Sequence, residues 1–343
     1  MTTIRRRTEA IRMFILDNVD EHPSDITRET AEKFSISRQA VNKHLKRLVN
    51  EQCLDMEGTT KSKVYKLHPL VEWSKSYKIT DALAEDIVWR EDIEPRMGEM
   101  PDNVNDIWHY AFTEILNNAI DHSLGATVSI KLSTTARDIQ ILLIDDGIGI
   151  FKKIQQELDL PYERDAVLEL AKGKLTTDPT RHSGQGIFFT SRMLDDFFIF
   201  SDEVVFAHEY GKREDWIVDR LKPSSGTAVS MRLSNHTSRT MKTVFDQFTT
   251  DDDFGFTKTV VPVQLAQHGD EKLVSRSQAK RVITRFEKFK IVILDFEGVQ
   301  SIGQGFSDEI FRVFAQRFPD IELIPTNANP EVAQMISRAH HHD

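Results

Sequence analysis

Cysteine is nearly absent from this sequence. One residue in 343, Cys53, leaves no partner for an internal disulfide and fits a reducing compartment. Long apolar runs are missing too. No stretch approaches the roughly 18 residues that a membrane-spanning helix requires. The basic start Arg5-Arg6-Arg7 is not followed by the apolar segment of a signal peptide. A cytoplasmic location without membrane contact is expected. Repeats and low-complexity tracts are absent. So are two common nucleotide-binding motifs, G-x-x-x-x-G-K-[ST] and G-x-G-x-x-G. Asp253-Phe254-Gly255 spells a protein-kinase tripeptide, but the glycine-rich and catalytic loops that accompany it are missing, so it reads as chance.

What is present has the balance of a soluble globular chain, with 39% hydrophobic and 29% charged residues, and is long enough for two or three domains. The net charge of -10 is unevenly spread. Residues 1–70 hold 13 Lys/Arg against 10 Asp/Glu, and the remainder holds 31 against 44. A mildly basic head on an acidic body points to the head as the part that meets an anionic polymer.

In residues 1–70, Ile4, Ile11, Phe14 and Ile15 recur at helical spacing. Thr27 to Phe34 reads as a second helix. Ser37 is placed to cap a third, running to about Asn50, with Ile36 and Val41 as a hydrophobic staple. Val41, Leu45 and Leu48 form its apolar stripe. Leu54–Glu57 and Val64–Leu67 flank a polar turn like two strands of a wing. Together these pieces resemble a winged helix-turn-helix domain over about 65 residues, which implies double-stranded DNA as a partner. The N-terminal part of such a recognition helix enters the major groove. Ser37, Arg38, Gln39 and Asn42 fall there, with Arg38 and Gln39 as base readers. Lys43, Arg47, Lys61 and Lys63 are expected at phosphates. Protein contact is the other use of such a head. Winged helices often bind paired half-sites, so a homodimer is the expected assembly. Residues 71–100 are polar and mixed, and are expected to be a linker or dimerising arm.

From Asn105 an amphipathic helix begins, with Ile107, Ala111, Ile115 and Ala119 on one stripe and Glu114, Asn118 and Asp121 on another. A carboxylate and an amide four residues apart share a helix face. The carboxylate can orient or deprotonate water, and the amide oxygen can ligate a hard cation. By itself this pattern fits a solvated stripe better. Thr127–Leu132 and Asp138–Ile144 then read as strands, the second ending in Asp145-Asp146-Gly147-Ile148-Gly149-Ile150. Glycines after a strand let backbone pass close to a flat ligand, and a buried carboxylate there can accept from an exocyclic amine. Gly184-Gln185-Gly186-Ile187 is a glycine turn that opens a helix, a place for phosphate oxygens. Ser225-Gly226-Thr227 leads into a further strand.

In this order and spacing, the four pieces resemble the GHKL ATPases (gyrase-type, chaperone, histidine-kinase and mismatch-repair) over roughly 130 residues, expected as a domain at 101–240. The resemblance implies ATP with Mg2+ as cofactors. Glu114 is then the candidate base and Asn118 the Mg2+ ligand, with Asn117 and Asp121 beside them in the first motif. Asp145 meets the adenine amine beside Gly147, Gly149 and Ile150. Gly184, Gln185, Gly186 and Ile187 hold phosphates, and Thr227 supports adenine through water. The stretch 151–183 becomes an ATP lid, holding Lys172, Lys174, Thr176, Thr177 and Arg181. These residues suit either phosphate contact or a solvated loop.

Residues 245–343 alternate strand and helix: Thr257–Leu265, Glu271–Phe289, Lys290–Phe296, Phe306–Phe318, Ile321–Ile324 and Pro330–Arg338. This pattern predicts a small α/β domain. Val292-Ile293-Leu294-Asp295-Phe296-Glu297-Gly298-Val299 with the helix after it resembles STAS-like domains. Where that family carries a phosphorylatable serine, this chain has Ile302-Gly303-Gln304-Gly305, flanked by Ser301 and Ser307. A regulatory role or docking of a protein partner is expected here. His340-His341-His342 reads as a frayed tail. The whole predicts an α/β multidomain chain: a winged helix, a GHKL α/β sandwich and a STAS-like domain. Three activities follow from it: an ATP-gated, slowly hydrolysing DNA-binding regulator; a serine or histidine kinase acting on its own STAS-like domain or a partner; and a binding-only module.

Overall fold

The computed structural model describes residues 3–59, 62–175, 184–211, 216–219, 225–249, 255–268 and 271–341. Their architecture is mixed α/β, with several sheets.

The head comprises α1 (Thr3–Asn18), α2 (Ile26–Phe34), α3 (Arg38–Asn50) and a hairpin of β1 (Leu54–Glu57) with β2 (Val64–Leu67). It has its own core, built from Ile15, Leu16, Val19, Ile26, Val41, Leu45, Leu48 and Tyr65. Ser37 caps α3, its hydroxyl accepting from the Ala40 amide at 3.2 Å. Ile36 packs on the head's core, which includes Val41, and so sets the entry angle of α3. Ser35, in the left-handed region at φ 51°, makes the turn between α2 and α3. The head rests on the body: Arg137, in the turn after the fourth strand, pairs with Asp20 at 3.0 Å, and Ala136 packs on the head's core.

The stretch expected as a linker or arm is largely built into the body. β3 (Val71–Lys78) is a full strand, and α4 (Glu85–Val88) and α5 (Glu94–Met97) lie at the two ends of one helical stretch. Trp73 and Tyr77 share a face of β3, where Arg96 lies over the Trp73 ring and Tyr77 donates to Asp92 at 2.7 Å. The outward positions Glu72, Ser74, Ser76 and Lys78 are polar, and they mask this alternation in the sequence.

The body continues with α6 (Asp102–His122), β4 (Thr127–Thr134), β5 (Asp138–Asp145), α7 (Ile150–Glu157), α8 (Glu163–Lys172), α9 (Gly186–Met193), β6 (Asp196–Ser201), β7 (Val204–Glu209), β8 (Trp216–Asp219) and β9 (Thr227–Ser234). The seven strands pair antiparallel in the order β3-β4-β5-β9-β6-β7-β8. β9 alternates buried and half-buried positions, as expected of a strand with one face on the core. α6 and α9 pack on each other, burying Ile107, Ala111, Phe112, Ile115, Phe188 and Phe189.

α10 (Met241–Phe245) leads to the last domain. There β10 (Lys258–Pro262), β11 (Ile291–Asp295) and β12 (Glu322–Thr326) pair parallel in chain order. Parallel neighbours need crossovers. α11 (Arg276–Ile283) supplies one. The other is a helix that begins at α12 (Gln304–Asp308), winds more loosely over Glu309–Phe314 and ends at α13 (Ala315–Arg317). α14 (Pro330–His341) closes the domain and carries His340 inside the helix rather than in a frayed tail. The helix expected over Glu271–Phe289 is shorter than expected. Thr284 leaves helical geometry at ψ 128° and Arg285 follows in the left-handed region at φ 67°, so the helix stops at Ile283. One continuous apolar core joins the body to this domain.

Replacing Ser37 with Ala removes an N-cap and should lower stability by about 1 kcal/mol. A thermal or urea melt followed by circular dichroism checks this.

Candidate functional site

A cavity of about 260 Å³ opens between α6, the glycine turns and the sheet. α6 contributes Glu114, Ile115, Asn118, Ala119, His122 and Ser123. This is a single helix face, so the carboxylate and amide four residues apart do meet the same space. Asn118 Nδ2 is buried with no protein partner among the described residues. Glu114 lies against the start of α9, where a side chain at Gly186 would collide with the carboxylate.

Across the cavity stands Asp145, the last residue of β5, only 7% exposed. Its Oδ1 accepts from the Gly147 amide at 2.9 Å and the Thr227 amide at 3.2 Å. Thr227 Oγ1 in turn accepts from the Ile150 amide at 3.0 Å. Burial pushes the Asp145 carboxyl above the ordinary aspartate range, and neighbouring Asp146 adds to this. The two backbone donors pull the other way. Asp146 does different work: its carboxylate accepts from the Ala126 and Thr127 amides and the Thr127 hydroxyl, fixing the glycine turn to β4. Gly149, at φ 88°, allows the close approach of Ser201, whose Oγ would sit 2.6 Å from any Cβ there. Gly184, at φ 67°, packs on the Leu175 backbone, and Leu175 N donates to Gly184 O at 3.0 Å.

Of the residues singled out in the sequence, Glu114, Asn118, Asp145, Gly149, Ile150, Gly184, Gly186, Ile187 and Thr227 line this one cavity. Asn117, Asp121, Gly147 and Gln185 do not. Seven residues along an α-helix return about 20° short of full register. Glu114 stands at the margin of the lining arc, and Asp121, seven residues on, falls outside it. Gly147 serves the turn itself, tucked against Ser123. Thr176, Thr177 and Arg181 of the expected lid lie outside the described residues, as does Lys61 of the head.

Other lining residues escaped the sequence reading. Beside Ile150, α7 turns Lys153, Ile154 and Glu157 toward the cavity. Their spacing was visible, but the stretch was read as an undivided loop. Lys153 places an ammonium in the lining and donates to the His122 carbonyl at 3.0 Å. Leu170, Leu175, Phe188, Ile199 and Val229 supply the apolar wall. Lys172 needs a correction: it is neither solvated nor turned to the cavity, but fully buried and paired with Glu169 at 2.6 Å.

In the head, Ser37, Arg38, Gln39, Asn42, Lys43 and Arg47 are all exposed along α3, and Lys63 is half-buried in the hairpin. Arg47 is engaged with Glu51 at 2.7 Å.

Two family models match the chain. One, described as histidine kinase-, DNA gyrase B- and HSP90-like ATPase, covers residues 103–236. The other, a STAS-like domain of unknown function, covers residues 278–333. No curated protein matches. The chain thus carries a GHKL-type, ATP-binding domain of the ATPase and kinase kind, with a STAS-like domain after it.

Gly226 holds φ 81°, and a side chain there would strike the Asp145 carbonyl. Gly226→Ala should therefore cost more than about 1 kcal/mol. The shift of the urea midpoint at constant slope measures it.

Proposed function

We propose that this chain is an ATP- and Mg2+-binding regulator that hydrolyses ATP slowly and passes its nucleotide state to a DNA-reading winged-helix head. The observation that carries the reading is the convergence of Glu114, Asn118, Asp145, Thr227 and two glycine turns on one cavity. The Asp145 carboxylate has lone pairs left for the exocyclic amine of adenine. The amides at the start of α9 suit phosphate oxygens. Lys153 adds a positive charge to the same cavity.

Asn118 fits a magnesium ligand, since its side chain lines the cavity and carries an amide oxygen of the kind hard cations take. Bound there, the ion would neutralise phosphate charge. Glu114, one turn earlier, orients the attacking water and draws its proton. The exposed Arg38 and Gln39 read bases, while Ser37, Asn42, Lys43, Arg47 and Lys63 hold the backbone.

Hydrolysis is favoured over phosphorylation at Ser307 of the chain's own STAS-like domain; Ser301 is half-buried. Ser307 is buried, and its hydroxyl donates to the Met335 carbonyl at 3.1 Å.

Purified protein incubated with magnesium and γ-labelled ATP should release free phosphate and retain no label. Label on the protein would establish the kinase reading instead. Glu114→Ala should bind ATP but stop turnover, and unchanged hydrolysis would remove Glu114 from the mechanism.

The ionised form of Asp145 accepts the adenine amine, and its carboxyl titrates above the usual aspartate range. ATP affinity should therefore fall on acidification before ordinary carboxylates protonate. Asp145→Asn should bind weakly with that pH dependence gone, as titration calorimetry across pH would show.

For the head, Lys43→Ala should weaken binding to all duplexes alike and lower the salt slope by about 1, whereas Arg38→Ala should relax sequence preference. Anisotropy with labelled duplexes, with and without ATP, reads both. No affinity for any duplex at low salt would reduce the head to a protein-contact module.

A further inference from the structure

The helix α8 belongs to two structures at once. In the chain it lies between the two glycine turns, and Leu170 and Leu175 at its end form part of the cavity wall. Its other side is fastened to the STAS-like domain. Lys172 is fully buried, and its Nζ bonds Glu169 at 2.6 Å, the Arg281 carbonyl at 2.9 Å and the Thr284 carbonyl at 3.0 Å. Those carbonyls stand at the C-terminal end of α11, so a lysine of the body caps a helix of the other domain. The STAS-like domain answers with Arg285. Its guanidinium donates to the Glu169 carboxylate at 3.1 Å, to the Glu169 carbonyl at 3.1 Å and to the Gly173 carbonyl at 2.8 Å. Just past the end of α11, the left-handed backbone of Arg285 accompanies the turn that brings this side chain onto α8.

Further fastenings surround the triad. Thr259 of β10 donates its hydroxyl to the Lys172 carbonyl at 2.7 Å. Asp165, buried at the other end of α8, meets His268 at 3.0 Å and Arg281 at 3.4 Å. Where the chain leaves α8, Gly173 is wedged beside Phe256, and a Cβ there would lie 2.7 Å from its ring. Phe256 stacks on Phe188 of the cavity wall at 4.7 Å and touches Phe289 of the STAS-like domain at 5.5 Å.

Burial disfavours the charged form of Lys172, while Glu169 opposes that shift. Charges this deep are tolerated only as a complete set, because removing one strands the others.

We propose that the STAS-like domain is the intramolecular effector of the ATP site, and that Glu169, Lys172 and Arg285 are positioning residues that lock the lid helix to it. This rests on the ATP-binding reading above. With the lock closed, Leu170 and Leu175 are held in the cavity wall and bound nucleotide is retained. A partner that draws the STAS-like domain away parts the lock and speeds nucleotide release. Coupling of this sort is reciprocal, so nucleotide must in turn steady α11.

The test uses the full-length chain and a fluorescent ATP analogue with magnesium. Stopped-flow displacement should show release about tenfold faster for Arg285→Ala, partial recovery for Arg285→Lys and a smaller acceleration for Thr259→Val. Lys172→Met combined with Arg285→Ala should add little to the single changes, as members of one lock. On the unaltered protein, hydrogen exchange over 276–283 should slow on adding the analogue. The Thr259→Val comparison and this exchange measurement keep the test decisive if the charge variants fail to fold. Analogue bound without any change in α11 exchange, or released at the wild-type rate by folded variants, overturns the lock while leaving the ATP reading intact. Failure of the unaltered protein to bind the analogue removes the ATP reading and the lock with it.

Discussion

The site depends on one buried carboxylate. Asp145 ends β5, an inner strand of the sheet, and its Oδ1 gathers the amides of Gly147 and Thr227. These belong to the glycine turn and to β9. Through Thr227 Oγ1 the same junction reaches Ile150 at the start of α7. One aspartate therefore sets the mutual position of a strand, a turn, the neighbouring strand and a helix. Desolvating it is costly, and backbone donors recover part of that cost. What remains unspent of its accepting capacity faces a cavity. A charge that holds the floor of the pocket and still has room for a donor suits recognition of an amine.

Much of this was legible in the sequence because the features are local. The i, i+4 pair Glu114 and Asn118 needs only a helix to share a face. Asp145 followed by Gly147 and Gly149 needs only a strand and a turn. The cap at Ser37 and the alternation of strand and helix after residue 257 are of the same kind. Errors arose where a residue's surroundings come from distant chain. Lys172 in a stretch of mixed polarity looks like any solvated lysine, and only α11, more than a hundred residues on, makes it a buried cap. Asp121 failed for a smaller reason, the slow drift of a helical stripe around its axis. β3 was hidden because half its side chains face outward, and strand polarity alone does not reveal a neighbour such as β4.

The two ends of the ATP-binding domain are thus held differently. Toward the C-terminus it shares a core and a buried ionic cluster with its neighbour. Toward the N-terminus it meets a head that has a separate core, and the described ion pair between them, Arg137 with Asp20, is partly exposed. Exposed pairs contribute little, whereas buried sets resist partial opening. The STAS-like domain is therefore joined to the ATP-binding domain through a common core, while the head keeps a core of its own.

The join between head and sheet has a mechanical meaning. β2 ends at Leu67 and β3 begins at Val71. Three intervening residues reach at most about 10 Å when fully stretched. His68 is tied by its amide to the Cys53 carbonyl, and Leu70 to the Thr134 carbonyl. The head is therefore on a very short leash. It stays at the edge of the sheet. The place of α3 is thus ruled by the sheet, in the way a hinge rules the reach of the leaf it carries.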